Sequence, residues 1–150
     1  MIGHKLIRNI DRKETIHADR AGWLLLPAPY GFKIGDNRYR LVTSYLPDFQ
    51  FRYMAAAAPH GPWKDIWNNF MQMTPQIFSA GIAPNLFVVD SSSGKAMHDT
   101  DAKPSASYDS IRVYLWASMS GKSGKEMVKL LPRFAELIRQ YGVPPEMLIQ

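Results

Sequence analysis

Ser107 to Trp116, SYDSIRVYLW, is the stretch where an acid, a base, hydroxyls and aromatics converge at helical spacing. Read as a helix, it puts Asp109, Arg112 and Trp116 at i, i+3 and i+7 on one face. Ile111, Leu115 and Met119 then form an apolar face that turns away and packs. Asp109 falls in the first turn, where Ser107 can cap and where the helix dipole favours an ionised carboxylate. Arg112, one turn on, pushes the same way, so Asp109 is kept charged and able to accept a proton. On spacing alone a capped amphipathic helix with a surface ion pair is the commoner reading of the same residues, and the chemical reading stands beside it.

The elements that must position this stretch follow from periodicity and breakers. The spacing predicts a first helix from Ile2 to about Ile16, with Leu6, Ile7 and Ile10 as its apolar stripe. Trp23 to Leu26 is a short apolar run, turn residues follow from Pro27 to Asn37, and Arg38 to Val42 alternates like a strand, which together predict a small hairpin or extended loop. A helix is expected from Pro47 to about Ala58 with Phe49, Tyr53 and Ala57 on one face. Another is expected from Trp63 to about Ala80, with Ile66, Phe70, Met73 and Ile77 as its core stripe and Pro75 as a kink or break. Leu86 to Val89 is β-like, Asp90 to Gly94 turns, and Asp99 to Ser107 is a polar loop. Ser120 to Gly124 reads as a turn between helices, and Lys125 to Tyr141 as the last helix, stopped by Gly142 and Pro144-Pro145. Helices in succession without βαβ alternation predict an all-α fold with a minor β-hairpin in one domain over residues 1–150.

Composition narrows the function classes. The 150 residues are 46% hydrophobic, enough for a core. They contain no cysteine, which excludes disulfides and thiolate metal sites. Asp90, His98, Asp99 and Asp101 match no calcium or zinc spacing, so they read as turn and loop residues, and neither a metal nor a cofactor is expected. Ser107 and His98 lack the context of a nucleophile elbow. The net charge of +5 is spread along the chain and interleaved with acids, which argues against nucleic acid as a partner. No apolar run is long enough to span a bilayer and the N-terminal residues show no apolar h-region, so neither a membrane span nor a signal peptide is expected in these residues.

SYDSIRVYLW, together with LLLP at Leu24 to Pro27, TSYLPDF at Thr43 to Phe49 and APHGPW at Ala58 to Trp63, resembles glycoside hydrolase family 8, and within it the endo-β-1,4-glucanases of bacterial cellulose synthesis operons. The blocks occur in the family's order and cover most of the chain. The resemblance implies part of an (α/α)6 barrel and hydrolysis of β-1,4-glucan with inversion. It implies Asp109 as general base on the attacking water, Arg112 as the arginine beside it, and Tyr45 as a sugar-contacting tyrosine, with Tyr108 and Trp116 shaping the subsites. Without the resemblance, Tyr45 reads as a core aromatic or as a platform for a sugar.

The implied partners are β-1,4-glucan or cello-oligosaccharide and the cellulose synthase complex, and the implied address of the full-length protein is periplasmic or secreted. Two departures accompany the matches. The family's glutamate acid and second aspartate lie upstream of anything here, and Glu14, Glu126, Glu136 and Glu146 stand in none of its acid contexts. The family's Asn-Pro before the tyrosine is Val42-Thr43, and its last helices lie beyond this chain. The expectation is therefore a partial catalytic domain, with a non-catalytic glucan-binding or partner-binding helical module as the alternative.

Overall fold

The computed structural model describes residues 2–102, 105–142 and 147–148. The chain runs α1 (Ile2–Glu14), β1 (Thr15–Ala18), β2 (Gly22–Leu25), β3 (Arg38–Val42), α2 (Asp48–Ala57) and α3 (Trp63–Ile77). It continues through β4 (Leu86–Asp90), β5 (Lys95–His98), β6 (Ser105–Ala106), α4 (Tyr108–Met119), α5 (Gly121–Lys129), α6 (Pro132–Tyr141) and β7 (Met147–Leu148).

Helices predominate, but the β content exceeds a single hairpin: among the described residues there are three small antiparallel sheets. The expected first helix stops at Glu14, because the Thr15 hydroxyl donates to the Asp11 carbonyl at 2.6 Å and the chain turns into β1. β1 pairs with β2, setting His17 opposite Trp23 with their rings edge to face at 5.3 Å. β3 pairs with β4 and β4 with β5, so the Trp23 and Arg38 runs belong to different sheets. Their partners lie elsewhere in the chain, where local alternation cannot announce them. The Asp90 to Gly94 turn forms as expected, with the Asp90 carboxylate accepting the Ser93 N–H at 3.0 Å.

The α3 stripe is as its spacing predicts: Ile66, Phe70, Met73 and Ile77 are buried, with Trp63 fully enclosed, and the helix packs on α2, β2 and β5. Pro75 neither breaks nor ends it before Ile77. The proline cannot donate to the Met71 carbonyl four residues back, and the Thr74 hydroxyl supplies that hydrogen bond instead, at 2.7 Å.

Three helix faces differ from expectation. On α1, Ile7 is buried and Ile10 half-buried, while Leu6 is exposed. On α2 the buried residues are Asp48, Phe51 and Met54, and Tyr53 faces solvent. On α4 they are Ser110, Val113 and Ala117, while Leu115 and Met119 are exposed. The cause on α4 is close approach of α5. A Cβ added to Gly124 would lie 1.8 Å from the Ala117 carbonyl oxygen, so only small residues fit this crossing and the larger apolar ones rotate outward. The expected turn at residues 120–124 is largely the start of α5. The expected last helix is two, divided at Leu130 and Leu131, with Pro132 opening α6. Gly142 ends α6 in the left-handed region at φ 74°, its N–H on the Ile138 carbonyl, while Pro144-Pro145 lies outside the described residues.

Candidate active site

The first turn of α4 is held by a residue from another element. Ser107 makes no side-chain cap; the Asn85 Oδ1 accepts the N–H groups of Ser107 and Ser110 at 3.1 and 3.2 Å, and its Nδ2 donates to the Ser107 hydroxyl at 2.8 Å. Asn85 lies just before β4, and its backbone carbonyl accepts the Thr43 N–H at the end of β3. One asparagine thus ties the start of α4 to the turn at Thr43–Tyr45 that carries Tyr45. Further along α4, the Trp116 indole N–H donates to the Ser44 carbonyl at 2.9 Å, and Phe49 contacts the ring edge to face at 5.6 Å. The tryptophan is therefore a fixed platform beside Tyr45.

Arg112 and Asp109 form an ion pair at 2.9 Å, with side chains 47% and 52% exposed. Pairing at that exposure orients both groups more than it stabilises the fold. Arg112, Trp116 and Tyr45 line one open cleft of about 350 Å³. Asp109 is joined to that cleft through Arg112. Tyr108, 86% exposed, projects from the first turn of α4 and is not part of the lining.

Three helix faces, the exit of β2 and the turn after β3 that carries Ser44 and Tyr45 form the walls. Ile10 and Glu14 of α1, Gln50 and Met54 of α2, and Arg112 and Trp116 of α4 each recur at i and i+4. Leu25, Leu26 and Pro27 close the side, so the LLLP block is cleft wall except for Leu24, which is buried in the core. Among the described residues no group of three or more His, Cys, Asp or Glu could hold a metal ion. His98 Nε2 lies 3.2 Å from the Ser79 hydroxyl, but its Nδ1 is buried with no partner among the described residues, so no carboxylate orients it as a nucleophile's base.

The family model of glycosyl hydrolases family 8 matches residues 2–146. The chain belongs to glycosyl hydrolase family 8. Endoglucanases of Salmonella typhi and Xanthomonas axonopodis pv. citri are 30% and 33% identical to it, over 97% and 96% of this chain. The chain spans 39% and 38% of the length of those two relatives. The crystal structure of endo-1,4-D-glucanase from Vibrio fischeri ES114 superposes with a TM-score of 0.87 at 28% identity, over 98% of this chain and 43% of that one. Endo-beta-1,4-glucanase CMCax from Acetobacter xylinum, at 17% identity, shares the fold with a TM-score of 0.75 over 89% of this chain and 42% of that one.

Within this family 8 chain the residues that sequence reasoning missed are Glu14, Gln50 and Asn85. The i, i+4 spacing of Ile10 and Glu14 was readable, but not that their face would meet α2 and α4. Asn85 carried no local signal at all, since its partners lie 20 or more residues away in either direction.

Proposed function

We propose that this segment supplies the general-base side of a β-1,4-glucan-hydrolysing site within an (α/α)6 toroid, acting with inversion. The observation that carries the reading is the ion-paired Asp109 beside a cleft whose lining combines Arg112 with the aromatic surfaces of Tyr45 and Trp116. Membership of family 8 and the endoglucanase relatives support the same substrate class.

Inversion needs one carboxylic acid to protonate the leaving oxygen and one carboxylate to take a proton from water on the opposite face, the two standing about 6.5–9.5 Å apart. Asp109 fills the second role: half exposed, it is open to water, and Arg112 fixes its direction. Tyr45 and Trp116 offer faces for sugar rings in the cleft, and Tyr108, exposed at the helix start, offers a further ring outside that lining. The proton for the leaving oxygen comes from a second acid, and none of the described residues is given that role.

In a polypeptide that carries this segment and turns over carboxymethylcellulose, Asp109→Asn lowers kcat by roughly 100- to 10,000-fold while cellotetraose affinity is retained. Reducing-end release and calorimetry measure the two quantities. Turnover that survives the substitution would remove Asp109 from the role. Cellotetraose affinity without hydrolysis, even before substitution, would favour a glucan-binding module.

A further inference from the structure

Glu14 is an acid in an electrostatically unfavourable place. It is the last residue of α1, where the negative end of the helix dipole disfavours a carboxylate; Arg12 and Lys13 beside it are the residue types that suit this end. Its carboxylate has neither an ion-pair partner nor a hydrogen bond among the described residues. It is half-buried and lines the cleft. Its backbone is fixed there, because the Glu14 carbonyl accepts the Leu26 N–H at 2.7 Å and so holds the end of α1 against the cleft wall.

Arg112 lines the same cleft but pairs with Asp109. The cavity therefore combines an acceptor on α1 with donors of Gln50 on α2 and Arg112 on α4, and Trp116 lines it with them. A neutral ligand with several hydroxyls satisfies such a set, since each hydroxyl both donates and accepts.

We propose that Glu14 is a specificity-determining residue of this cleft, its two carboxylate oxygens accepting the O–H groups of the equatorial 2- and 3-hydroxyls of one glucosyl unit. The inference rests on the glucan reading above. A carboxylate has two acceptor oxygens side by side, and a vicinal equatorial diol presents two donors at matching separation. The axial 2-hydroxyl of a mannosyl unit breaks that match.

The test is calorimetric titration of the 150-residue chain with cellotetraose and with mannotetraose, following the Trp116 indole N–H resonance to locate binding. The unsubstituted chain prefers cellotetraose, and the Trp116 resonance moves. Glu14→Ala weakens cellotetraose by roughly 10- to 100-fold, as loss of hydrogen bonds to a charged group implies, and leaves mannotetraose nearly unchanged, so the preference collapses. Glu14→Gln, which keeps the shape and one acceptor oxygen, falls between. A residue that merely held α1 in place would weaken both sugars in step, and that outcome overturns the proposal. So does cellotetraose affinity unaltered in Glu14→Ala, or binding that leaves Trp116 unmoved. Failure of the unsubstituted chain to bind cellotetraose overturns the glucan reading and this inference together.

Discussion

Three aspartates show how environment assigns roles to one residue type. Asp109 is half exposed, with Arg112 as its sole partner among the described residues, which suits a group that meets water and substrate. Asp48 is buried at the start of α2, accepting from Arg52 at 3.1 Å and from the Ser123 hydroxyl at 2.7 Å, which suits a joint between α2 and α5. Asp99 is buried in a fork made by Arg40, and also accepts N–H groups of Asp101 and Ala102. Burial pushes the Asp99 carboxyl up, but hydrogen bonds from Arg40, Ala102 and Asp101, with the Arg40 charge, outweigh it and hold the group below the ordinary carboxylate value. A carboxylate held lower in the folded than in the unfolded chain adds stability above its ordinary pKa of about 4, and that stability is lost as pH falls through the folded value. Urea midpoints therefore drop in the unsubstituted chain as pH falls below the ordinary carboxylate range, and Asp99→Asn flattens that drop. At neutral pH, Asp99→Ala costs roughly 2–4 kcal/mol, because Arg40 is left partly buried without its partner. A midpoint that rises on acidification would contradict the assignment.

At the scale of elements, α4 carries the ion pair and the tryptophan of the candidate site, and other parts of the chain aim it. Apolar spacing alone would have turned Ile111, Leu115 and Met119 inward, whereas the Gly124 crossing and the Asn85 bonds select Ser110, Val113 and Ala117. This rotation carries Trp116 onto Ser44 and Arg112 into the cleft. Asn85 is thus a cap supplied from a distance, and it satisfies two N–H groups that the helix leaves open. Asn85→Ala destabilises the chain by about 1–2 kcal/mol. It also broadens the amide resonances of Tyr108 to Ile111 ahead of those of α3. Sharp, unshifted resonances in that turn would remove Asn85 from this role.

At the scale of the molecule, one core runs from Ile7 of α1 through Trp63, Phe70 and Phe87 to Met127 and Leu131. α6 stands apart from it. None of its residues is buried; it is attached through Phe134, stacked on Tyr114 at 3.6 Å, and through Leu137 against the small cluster of Ile82 and Ala106. A helix with so little buried surface opens independently of the core. Hydrogen exchange should protect the amides of α3 to the level of global unfolding and those of α6 well below it. Equal protection in both helices would show instead that the chain unfolds as one unit.

How much was legible in the residues follows from how far each signal reaches. The α3 stripe, the Gly142 stop, the Asp90 turn and the pairing of Asp109 with Arg112 all rest on neighbours within a turn or two, and the residue order determined each of them. The family resemblance likewise rested on contiguous blocks, and family 8 membership bears it out. The β1 and β3 partners, the inward face of α4, the Asn85 cap and the cleft that joins Glu14 to Arg112 depend on groups far apart in the chain. Spacing states which residues share a helix face; only the approach of other elements decides which face is covered, because burial and hydrogen bonding are settled where the elements meet.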